Sequence, residues 1–398
     1  MRESPIPKTL FLTRNASCRR PPPALRLCRW YAAAMQIGIA FPSYVEAWRD
    51  CEVAEAAGFS HAWFYDTQLL CSDVYATMAL AAEHTRRMVL GTLVAIPSNR
   101  IAPVTASAIA TINAIAPGRV VLGLGTGFTG RNTMGLPPLP VARLVEYVRQ
   151  VRGLLAGEDV LFREGKAERW IRLLSRDRRL GCVNLDDPIP IHLAANAPKA
   201  LAAVGDVGDG WITAALPPAA VGPTRDAILA AARSAGRRFD GPGGRPYTTL
   251  LTTGCVLRPG ELLNDPRVLR RVGPVAVVAA HAMWESARGG HGFGMTNDDL
   301  AAKYDAYLHG YAARRGSPPD RRYLEAHEGH MMYLKPGEEA FVQPELIPAL
   351  TLTGDPGQVR ERVRAYAATG VDNLAVQAIP GLGRDLIEEF GREVIGRF

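Results

Sequence analysis

Residues 74–135 read VYATMALAAEHTRRMVLGTLVAIPSNRIAPVTASAIATINAIAPGRVVLGLGTGFTGRNTMG, and this stretch decides the fold. The apolar runs Met88–Ile96 and Arg119–Gly123 are too continuous for half-exposed strands, so they predict parallel strands covered on both faces. Val74–His84 and Ala102–Ala116 predict helices, which would be right-handed crossovers. Polar residues that follow successive parallel strands are typical of the chemical end of a TIM barrel. We therefore predict an α/β fold, a (β/α)8 TIM barrel with insertions.

The rest of the chain supplies six more predicted strands. They lie at Met35–Ser43, Ser60–Tyr65, Ile189–Ala195, Gly210–Ala214, Tyr247–Leu257 and Asn373–Gln377. The other predicted helices lie at Ala47–Ala57, Val141–Leu155, Pro198–Val207, Pro218–Gly236 and from Asp355–Pro356 onward. An Asp followed by a Pro is a good signal for the start of that last helix. A doubly wound sheet is the alternative architecture, but no GxGxxG motif follows the first strand.

We expect residues 35–398 to form a single domain with insertions near residues 157–187 and 258–350. The first insertion is charged and irregular in pattern. The second separates the seventh strand from the last β–α unit and could form a helical lid over the pocket.

Residues 1–34 differ in composition from the rest of the chain. They are rich in arginine, interrupted by Pro21–Pro23, and lack the apolar core of about 7–15 residues that a secretory signal needs. We expect either a disordered extension or an upstream start site, with Met35 opening the folded domain. A targeting arm or interaction tail is the alternative.

The charge and the cysteine pattern exclude several classes of function. The net charge is +7, but residues 1–34 contain seven Lys or Arg and one Glu, so residues 35–398 carry only about +1. Nucleic-acid binding therefore loses its electrostatic support. No apolar run approaches the roughly 20 residues of a membrane span. The six cysteines have no CxxC spacing, which argues against a zinc site or disulfide framework and fits a reducing cytoplasm.

Histidines do not form a metal-binding motif either. His327 and His330, in AHEGHMM, have the wrong spacing for HExxH, and we expect no metal site.

Six motifs in order carry a family resemblance. They are DTQLLCSDVYATMA at 66–79, GTLVAIPSNRIAPVTASAIATINAIAPGR at 91–119, GLGTGFTGR at 123–131, AANAPKAL at 194–201, GDGWIT at 208–213 and TGDP at 353–356. From Met35 onward the chain resembles the bacterial luciferase-like superfamily of flavin and deazaflavin oxidoreductases. It is most similar to the methylenetetrahydromethanopterin reductase branch. The resemblance implies a barrel with a flat tricyclic cofactor in its C-terminal mouth, and a homodimer.

The resemblance also implies which residues contact the cofactor. A non-prolyl cis peptide at Leu93–Val94 would back the ring. The helix that begins near Pro198 directs free N–H groups toward the end of the fifth strand, which suits a phosphate. The expected cofactor-binding residues are Asp66, Leu93, Val94, Thr126, Gly127, Phe128, Arg131, Ala194, Ala195, Asn196, Ala197 and Lys199. The alternatives are a helix cap at Asp66 and ordinary tight turns at the glycine and alanine loops.

The acid–base residues of related sugar-phosphate dehydrogenases are absent. Thr67 stands where they have a histidine after the second strand, and Phe128 stands where they have an acid. Ala40 occupies the place of an acidic residue of the reductase branch. Thr67 cannot exchange protons near neutral pH as a histidine would. The remaining candidates are bound water and four loop residues, His281, His291, His327 and Glu328.

Hydride transfer asks the protein mainly for orientation and exclusion of water, since the cofactor performs the redox chemistry. An apolar mouth built from Phe41, Trp63, Phe128 and Trp211 would suit this, but for each ring taken singly we favour plain core packing. The leading hypothesis is an oxidoreductase that uses the deazaflavin coenzyme F420, or FMN, on a small organic substrate. An FMN-dependent monooxygenase, a non-catalytic flavin-binding barrel and a metal-dependent barrel hydrolase are the alternatives. The hydrolase would need His and Asp ligands at strand ends, where the first four strands supply only Asp66.

Overall fold

A computed structural model describes residues 34–288 and 296–397. Its strands are β1 Gln36–Phe41, β2 His61–Phe64, β3 Val89–Thr92, β4 Val120–Leu124, β5 Val160–Glu164, β6 Ala167–Ile171, β7 Ile191–Ala194, β8 Gly210–Ala214, β9 Tyr247–Thr252, β10 Gly254–Val256, β11 Leu352–Gly354 and β12 Asn373–Gln377. Eight of them form a closed parallel barrel in the order β1-β12-β9-β8-β7-β4-β3-β2. The predicted (β/α)8 barrel is therefore confirmed.

Helices alternate with the barrel strands and cover the outside of the barrel. They are α1 Ala47–Ala56, α2 Val74–His84, α3 Ala102–Ile115, α4 Phe128–Asn132, α5 Val141–Leu155, α6 Pro198–Val207, α7 Pro218–Ser234, α8 Pro266–Ala276, α9 Val278–Ala287, α10 Asp298–Arg314, α11 Arg322–His327, α12 Ile347–Leu350, α13 Pro356–Ala368 and α14 Gly383–Glu393. The predicted start of α13 is confirmed, because Asp355 and Gln358 form a reciprocal capping box there. The N-cap of α2 is Asp73, whose side chain accepts from two first-turn N–H groups.

Two local predictions were wrong. Tyr247–Leu257 is not one strand, because β10 leaves the barrel after Thr253 and pairs with β11 in a separate two-stranded sheet. The region 157–187 is not irregular throughout, since β5 and β6 form an antiparallel hairpin. Its two-residue turn begins at Gly165, whose φ of 56° is left-handed and suits a tight hairpin.

The core has an interior layer within the barrel and a larger layer between the barrel and its helices. Phe41 and Trp211 lie in the outer layer, so the core packing favoured for these two rings is confirmed, and they do not line the mouth. Trp63 lies inside the barrel, where its Nε1 donates to Asn373 Oδ1 at the first residue of β12 (2.9 Å). A Cβ at Gly91 would lie 2.4 Å from this indole ring, so a glycine is needed there.

The chain between β10 and β11 builds a helical layer with its own hydrophobic cluster. Val268, Val272, Tyr304, Leu308 and Ile347 are among its buried members. Ion pairs join this layer to the barrel, since Glu389 of α14 accepts from Arg267 and Arg271 of α8. Within residues 34–288 and 296–397, none of the helices has the length and apolar character needed to cross a membrane.

Candidate functional site

A polar network joins the loops that follow β2, β3 and β4 at the C-terminal end of the barrel. Asp66 Oδ2 accepts from the backbone N–H of Ile96 (3.0 Å) and from Asn99 Nδ2 (3.2 Å). Asn99 Nδ2 also donates to Gln68 Oε1 (2.8 Å), and Gln68 Nε2 donates to the carbonyl of Gly130 (2.6 Å). Burial raises the pKa of Asp66 above its ordinary value. Asp66 therefore fixes the loop after β3, and Asp73 is the residue that caps α2.

The peptide bond between Leu93 and Val94 is cis, as the resemblance implied. It directly follows β3, and Leu93 N donates to the carbonyl of Phe64 (2.7 Å). A Cβ on Gly125 would lie 2.6 Å from Val94 Cγ2 and 3.3 Å from Ala194 Cβ. The ends of β3, β4 and β7 thus approach one another closely around Gly125, where a side chain would not fit.

The glycine-rich loop after β4 turns directly into α4. Gly127 is the N-cap of α4 with a left-handed φ of 85°, and the carbonyl of Thr126 accepts from Leu139 N (2.8 Å). Phe128 is half-buried at the first position of α4. The Arg131 guanidinium donates to the carbonyl of Pro137, so it closes this loop on itself.

The end of β7 presents small residues and an exposed helix start. Ala194 is half-buried, whereas Asn196, Ala197 and Lys199 are exposed. Ala197 is the N-cap of α6 and no side chain caps that helix, so its first N–H groups are available to an anion. Asn196 Oδ1 accepts from the buried Thr213 hydroxyl (2.7 Å), which orients the amide. The backbone of Ala195 is fixed by Trp211, whose Nε1 donates to the Ala195 carbonyl (2.8 Å).

A loop from the helical layer reaches the barrel mouth. Met331 packs against the interior cluster that contains Tyr65 and Leu93. Its carbonyl accepts from Gln377 Nε2 at the end of β12 (2.5 Å), and Tyr65 OH donates to Gln377 Oε1 (3.0 Å). The segment between β10 and β11 therefore forms one wall of the mouth.

The structure separates the expected acid–base candidates. The carbonyl of Thr67 accepts from Leu70 N and Cys71 N, so Thr67 begins a turn at the end of β2. His281 is buried, and that burial lowers its pKa to about 4. His327 and Glu328 come together at a surface cavity, while His291 lies outside the described residues.

This cavity has a volume of about 350 Å³, at the lower end of the range for ligand pockets. The loops after β2 and β4 form one side and the helical layer forms the other. Its lining residues are Leu69, Leu70, Thr133, Leu324, His327, Glu328, Gly329, Met332 and Tyr333.

A buried polar cluster behind the cavity was missed by sequence reasoning. Glu338 Oε1 lies 2.8 Å from His281 Nε2, 2.7 Å from Lys335 Nζ and 2.8 Å from the Tyr304 hydroxyl. His281 Nδ1 in turn lies 3.1 Å from His330 Nδ1. Burial opposes ionisation of Glu338, but the hydrogen bond from His281 and the Lys335 charge lower its pKa to about 2. No spacing in the sequence could have revealed this cluster, since His281 and Glu338 are 57 positions apart.

Metal binding has no structural support in the part of the chain that the structure describes. Within that part, no three His, Cys, Asp or Glu side chains are grouped as metal ligands would be.

The sequence profile of the luciferase-like monooxygenase family matches residues 33–373. The chain belongs to this family. Family members similar to it include 5,10-methylenetetrahydromethanopterin reductase of Methanolobus tindarius, 33% identical over 193 residues that cover 47% of this chain and 55% of the relative. F420-dependent glucose-6-phosphate dehydrogenase of Nakamurella multipartita is 36% identical over 170 residues, covering 39% of this chain and 46% of the relative.

The match spans about half the length of these relatives. Among solved structures, the coenzyme F420-dependent tetrahydromethanopterin reductase from Methanopyrus kandleri has a TM-score of 0.62 at 22% identity. That comparison covers 92% of this chain and 100% of the reductase. At this identity the likeness establishes a shared fold.

Proposed function

We propose that this protein is an oxidoreductase that binds coenzyme F420 in the C-terminal mouth of the barrel. In this proposal it transfers hydride to or from a small organic molecule. The observation that carries the proposal is the close approach of the strand ends at Val94, Gly125 and Ala194, together with the uncapped start of α6. A flat ring needs close approach of backbone, and a phosphate suits free helical N–H groups. The residues present therefore fit a planar, phosphorylated cofactor.

The roles of individual residues follow from their positions. Leu93 and Val94 would back the ring, with Thr126, Gly127 and Phe128 along its edge. Ala194, Ala195, Asn196 and Ala197 would surround the phosphate, and the exposed Lys199 would add a positive charge. Asp66 acts indirectly in this proposal, because its carboxylate holds the loop of Ile96 and Asn99. Arg131 likewise acts by closing the glycine-rich loop.

The bound coenzyme would supply the hydride acceptor or donor, and the protein would supply orientation and exclusion of water. The similarity to the F420-dependent glucose-6-phosphate dehydrogenase of Nakamurella multipartita favours F420 over FMN. FMN-dependent monooxygenation is the second candidate function, favoured by the match to the luciferase-like monooxygenase family.

Cofactor titration tests the proposal. Purified protein is titrated with F420 and with FMN, and quenching of cofactor fluorescence gives each Kd. We expect F420 to bind at least tenfold more tightly than FMN. Tighter binding of FMN would favour the monooxygenase, and binding of neither would refute the proposal. Binding of F420 without turnover of any alcohol or carbonyl compound would favour a non-catalytic binding barrel.

We further propose that the protein is a homodimer of a reducing, cytoplasmic compartment. Leu80 on α2, Ile101 at the start of α3 and Val104 on α3 are 39%, 49% and 47% exposed, and a dimer formed through these early helices would cover their apolar side chains. Light scattering should give twice the chain mass. Replacing Val104 with Asp should shift the protein toward the monomer.

A further inference from the structure

Five side chains separate the interior of the barrel from the solvent at its mouth. Each packs against the interior cluster and is only partly buried, and we call this set the mouth surface: Cys71, Val94, Ala194, Leu251 and Met331. Val94 follows β3, Ala194 ends β7 and Leu251 is the next-to-last residue of β9, so these three lie at the C-terminal end of the barrel. Cys71 comes from the loop after β2, and Met331 from the segment between β10 and β11.

The mouth surface carries no charge. Four of its side chains are aliphatic or thioether groups, and the fifth is the Cys71 thiol. Burial raises the pKa of this thiol to about 11, so it stays protonated near neutral pH. A ligand that touches the mouth surface therefore meets carbon and neutral sulfur.

The polar side chains beside this surface already have partners within the protein. Tyr65 OH donates to Gln377 Oε1 (3.0 Å), and Gln377 Nε2 donates to the carbonyl of Met331 (2.5 Å). The Asp66 carboxylate accepts from the loop after β3, and the Arg131 guanidinium donates within its own loop. These groups are thus engaged in shaping the mouth.

This arrangement favours one class of substrate over another. An apolar ring or chain would leave water together with the apolar groups of the mouth surface, which is favourable. A phosphate group, or several hydroxyl groups, would lose hydrogen bonds to water and find few partners in exchange. The mouth therefore suits a compound with one polar group on an apolar body better than a sugar phosphate.

We propose that the substrate is a neutral, largely apolar alcohol or carbonyl compound that binds in the mouth, and that Met331 limits its size. The proposal rests on the proposed F420-dependent function and adds the substrate class to it. Val94 and Ala194 are the members of the mouth surface that the coenzyme would cover. Cys71, Leu251 and Met331 then remain for the substrate.

Met331 has the features of a residue that determines specificity. Its φ is 61° and its carbonyl accepts from Gln377, so the backbone is held in place. Its side chain is unbranched and has three rotatable bonds, so it adapts to the shape of what it contacts. The next residue, Met332, lines the separate surface cavity. The two neighbouring methionines therefore face different spaces, which provides a matched pair for mutation.

The first experiment measures binding without turnover. The whole protein, with ¹³C-labelled methionine methyl groups, is saturated with oxidised F420 and titrated with cyclohexanone, which the oxidised coenzyme cannot reduce. The chain has nine methionines, so Met331→Leu identifies the Met331 signal. We expect this signal to shift in a saturable way with cyclohexanone and to stay in place with glucose 6-phosphate.

The second experiment compares the oxidation of cyclohexanol with that of glucose 6-phosphate. In alcohol oxidation the C–H electron pair leaves with its hydrogen as hydride to the oxidised coenzyme. The O–H electrons form the second carbon–oxygen bond, and the proton is released to solvent, so the reaction balances. We expect kcat/KM to be about 10²-fold higher for cyclohexanol, because the mouth surface offers no partner for a phosphate.

Met331→Ala and Met332→Ala are the matched variants. Menthone is cyclohexanone with a methyl and an isopropyl group added, so it needs more room. Met331→Ala should bind menthone about tenfold more tightly and cyclohexanone more weakly than the wild type does. Met332→Ala should change neither Kd. A merely structural role of Met331 would weaken the binding of both ketones together.

Failure of F420 to bind the wild-type protein would refute the proposed function. Normal F420 binding with an unshifted Met331 signal, or with glucose 6-phosphate oxidised as fast as cyclohexanol, would overturn only this inference. Equal changes in Met331→Ala and Met332→Ala would remove the role of Met331. If Met331→Ala fails to fold, Met331→Leu and the wild-type comparison of the two substrates decide the question.

Discussion

Gln377 at the end of β12 bridges Tyr65 and Met331, since Nε2 donates to the Met331 carbonyl (2.5 Å) while Oε1 accepts from the Tyr65 hydroxyl (3.0 Å). Met331 has a φ of 61°, an uncommon conformation for a non-glycine residue, and this bond helps to hold it. One amide therefore fixes the wall between the barrel mouth and the cavity.

Replacing Gln377 with Leu should release this wall. We expect faster hydrogen exchange in residues 328–333 and a loss of about 1–3 kcal/mol of unfolding free energy, because the Tyr65 hydroxyl stays buried without its acceptor. Mass spectrometry of hydrogen exchange and urea unfolding measure the two effects. Gln343, which is exposed, gives the matched control Gln343→Leu. Unchanged exchange in 328–333 would show that Gln377 does not hold the loop.

Asp66 should act through the loop after β3. Asp66→Ala leaves the buried N–H of Ile96 without an acceptor, so we expect a loss of about 1–3 kcal/mol in unfolding free energy and weaker F420 binding. Asp66→Asn retains an oxygen acceptor and should lose less of both. Urea unfolding and fluorescence titration measure the effects, with the exposed Asp240→Ala as control. Equal F420 affinity in Asp66→Ala and wild type would contradict this role.

Much of the barrel could be predicted because its strands have both faces covered. The continuous apolar runs before Leu93 and Gly125 can be recognised locally, and so can the Asp–Pro start of α13. The departure of β10 from the barrel could not, because it depends on pairing with β11, about a hundred residues later. A Cβ on Gly254 would lie 2.6 Å from the Leu352 carbonyl, a close approach that only the folded chain reveals.

In the candidate site, too, features within one continuous motif could be predicted, whereas contacts between distant elements could not. The resemblance implied a cis bond at Leu93–Val94, because the motif that carries it is continuous in sequence. The structure confirms this bond. The partners of His327 and His281 could not be found in that way. Glu285 and Glu338 lie on other elements, and each meets its histidine only through packing of the helical layer.

Gly125 should be sensitive to a single added methyl group. In Gly125→Ala the new Cβ would meet Val94 Cγ2 at 2.6 Å, so the side chain that we propose to back the cofactor must move. We expect the Kd for F420 to rise at least tenfold, with a stability loss of about 1–3 kcal/mol from overpacking. Fluorescence titration and thermal melting provide the measurements.

Gly222 provides the opposite control for that substitution. It lies inside α7 with nothing within 4 Å of an added Cβ, so Gly222→Ala should stabilise the protein by up to about 1 kcal/mol and leave F420 affinity unchanged. If Gly125→Ala binds F420 as Gly222→Ala does, the ring does not lie against Val94.

Because four histidines are buried, we expect the protein to lose stability in mild acid. Burial lowers the pKa of His281 and of His192 to about 4 and that of His61 to about 3, and it takes the pKa of His330 well below its usual 6.5. The unfolded chain binds protons at these sites from about pH 6.5 downward, whereas the folded protein does not until the pH approaches 4. Their contribution to stability is therefore complete above pH 6.5 and is lost as the pH falls toward 4.

Urea unfolding between pH 8 and pH 5 measures this effect. We expect the unfolding free energy to fall by about 2 kcal/mol for each such histidine at pH 5, since one pKa unit corresponds to about 1.4 kcal/mol. His192→Leu removes one titrating group, so its stability should depend less steeply on pH, whatever its absolute value. Replacing the exposed His309 with Gln should leave the slope unchanged. Equal slopes in His192→Leu and wild type would mean that His192 is not held neutral in the barrel.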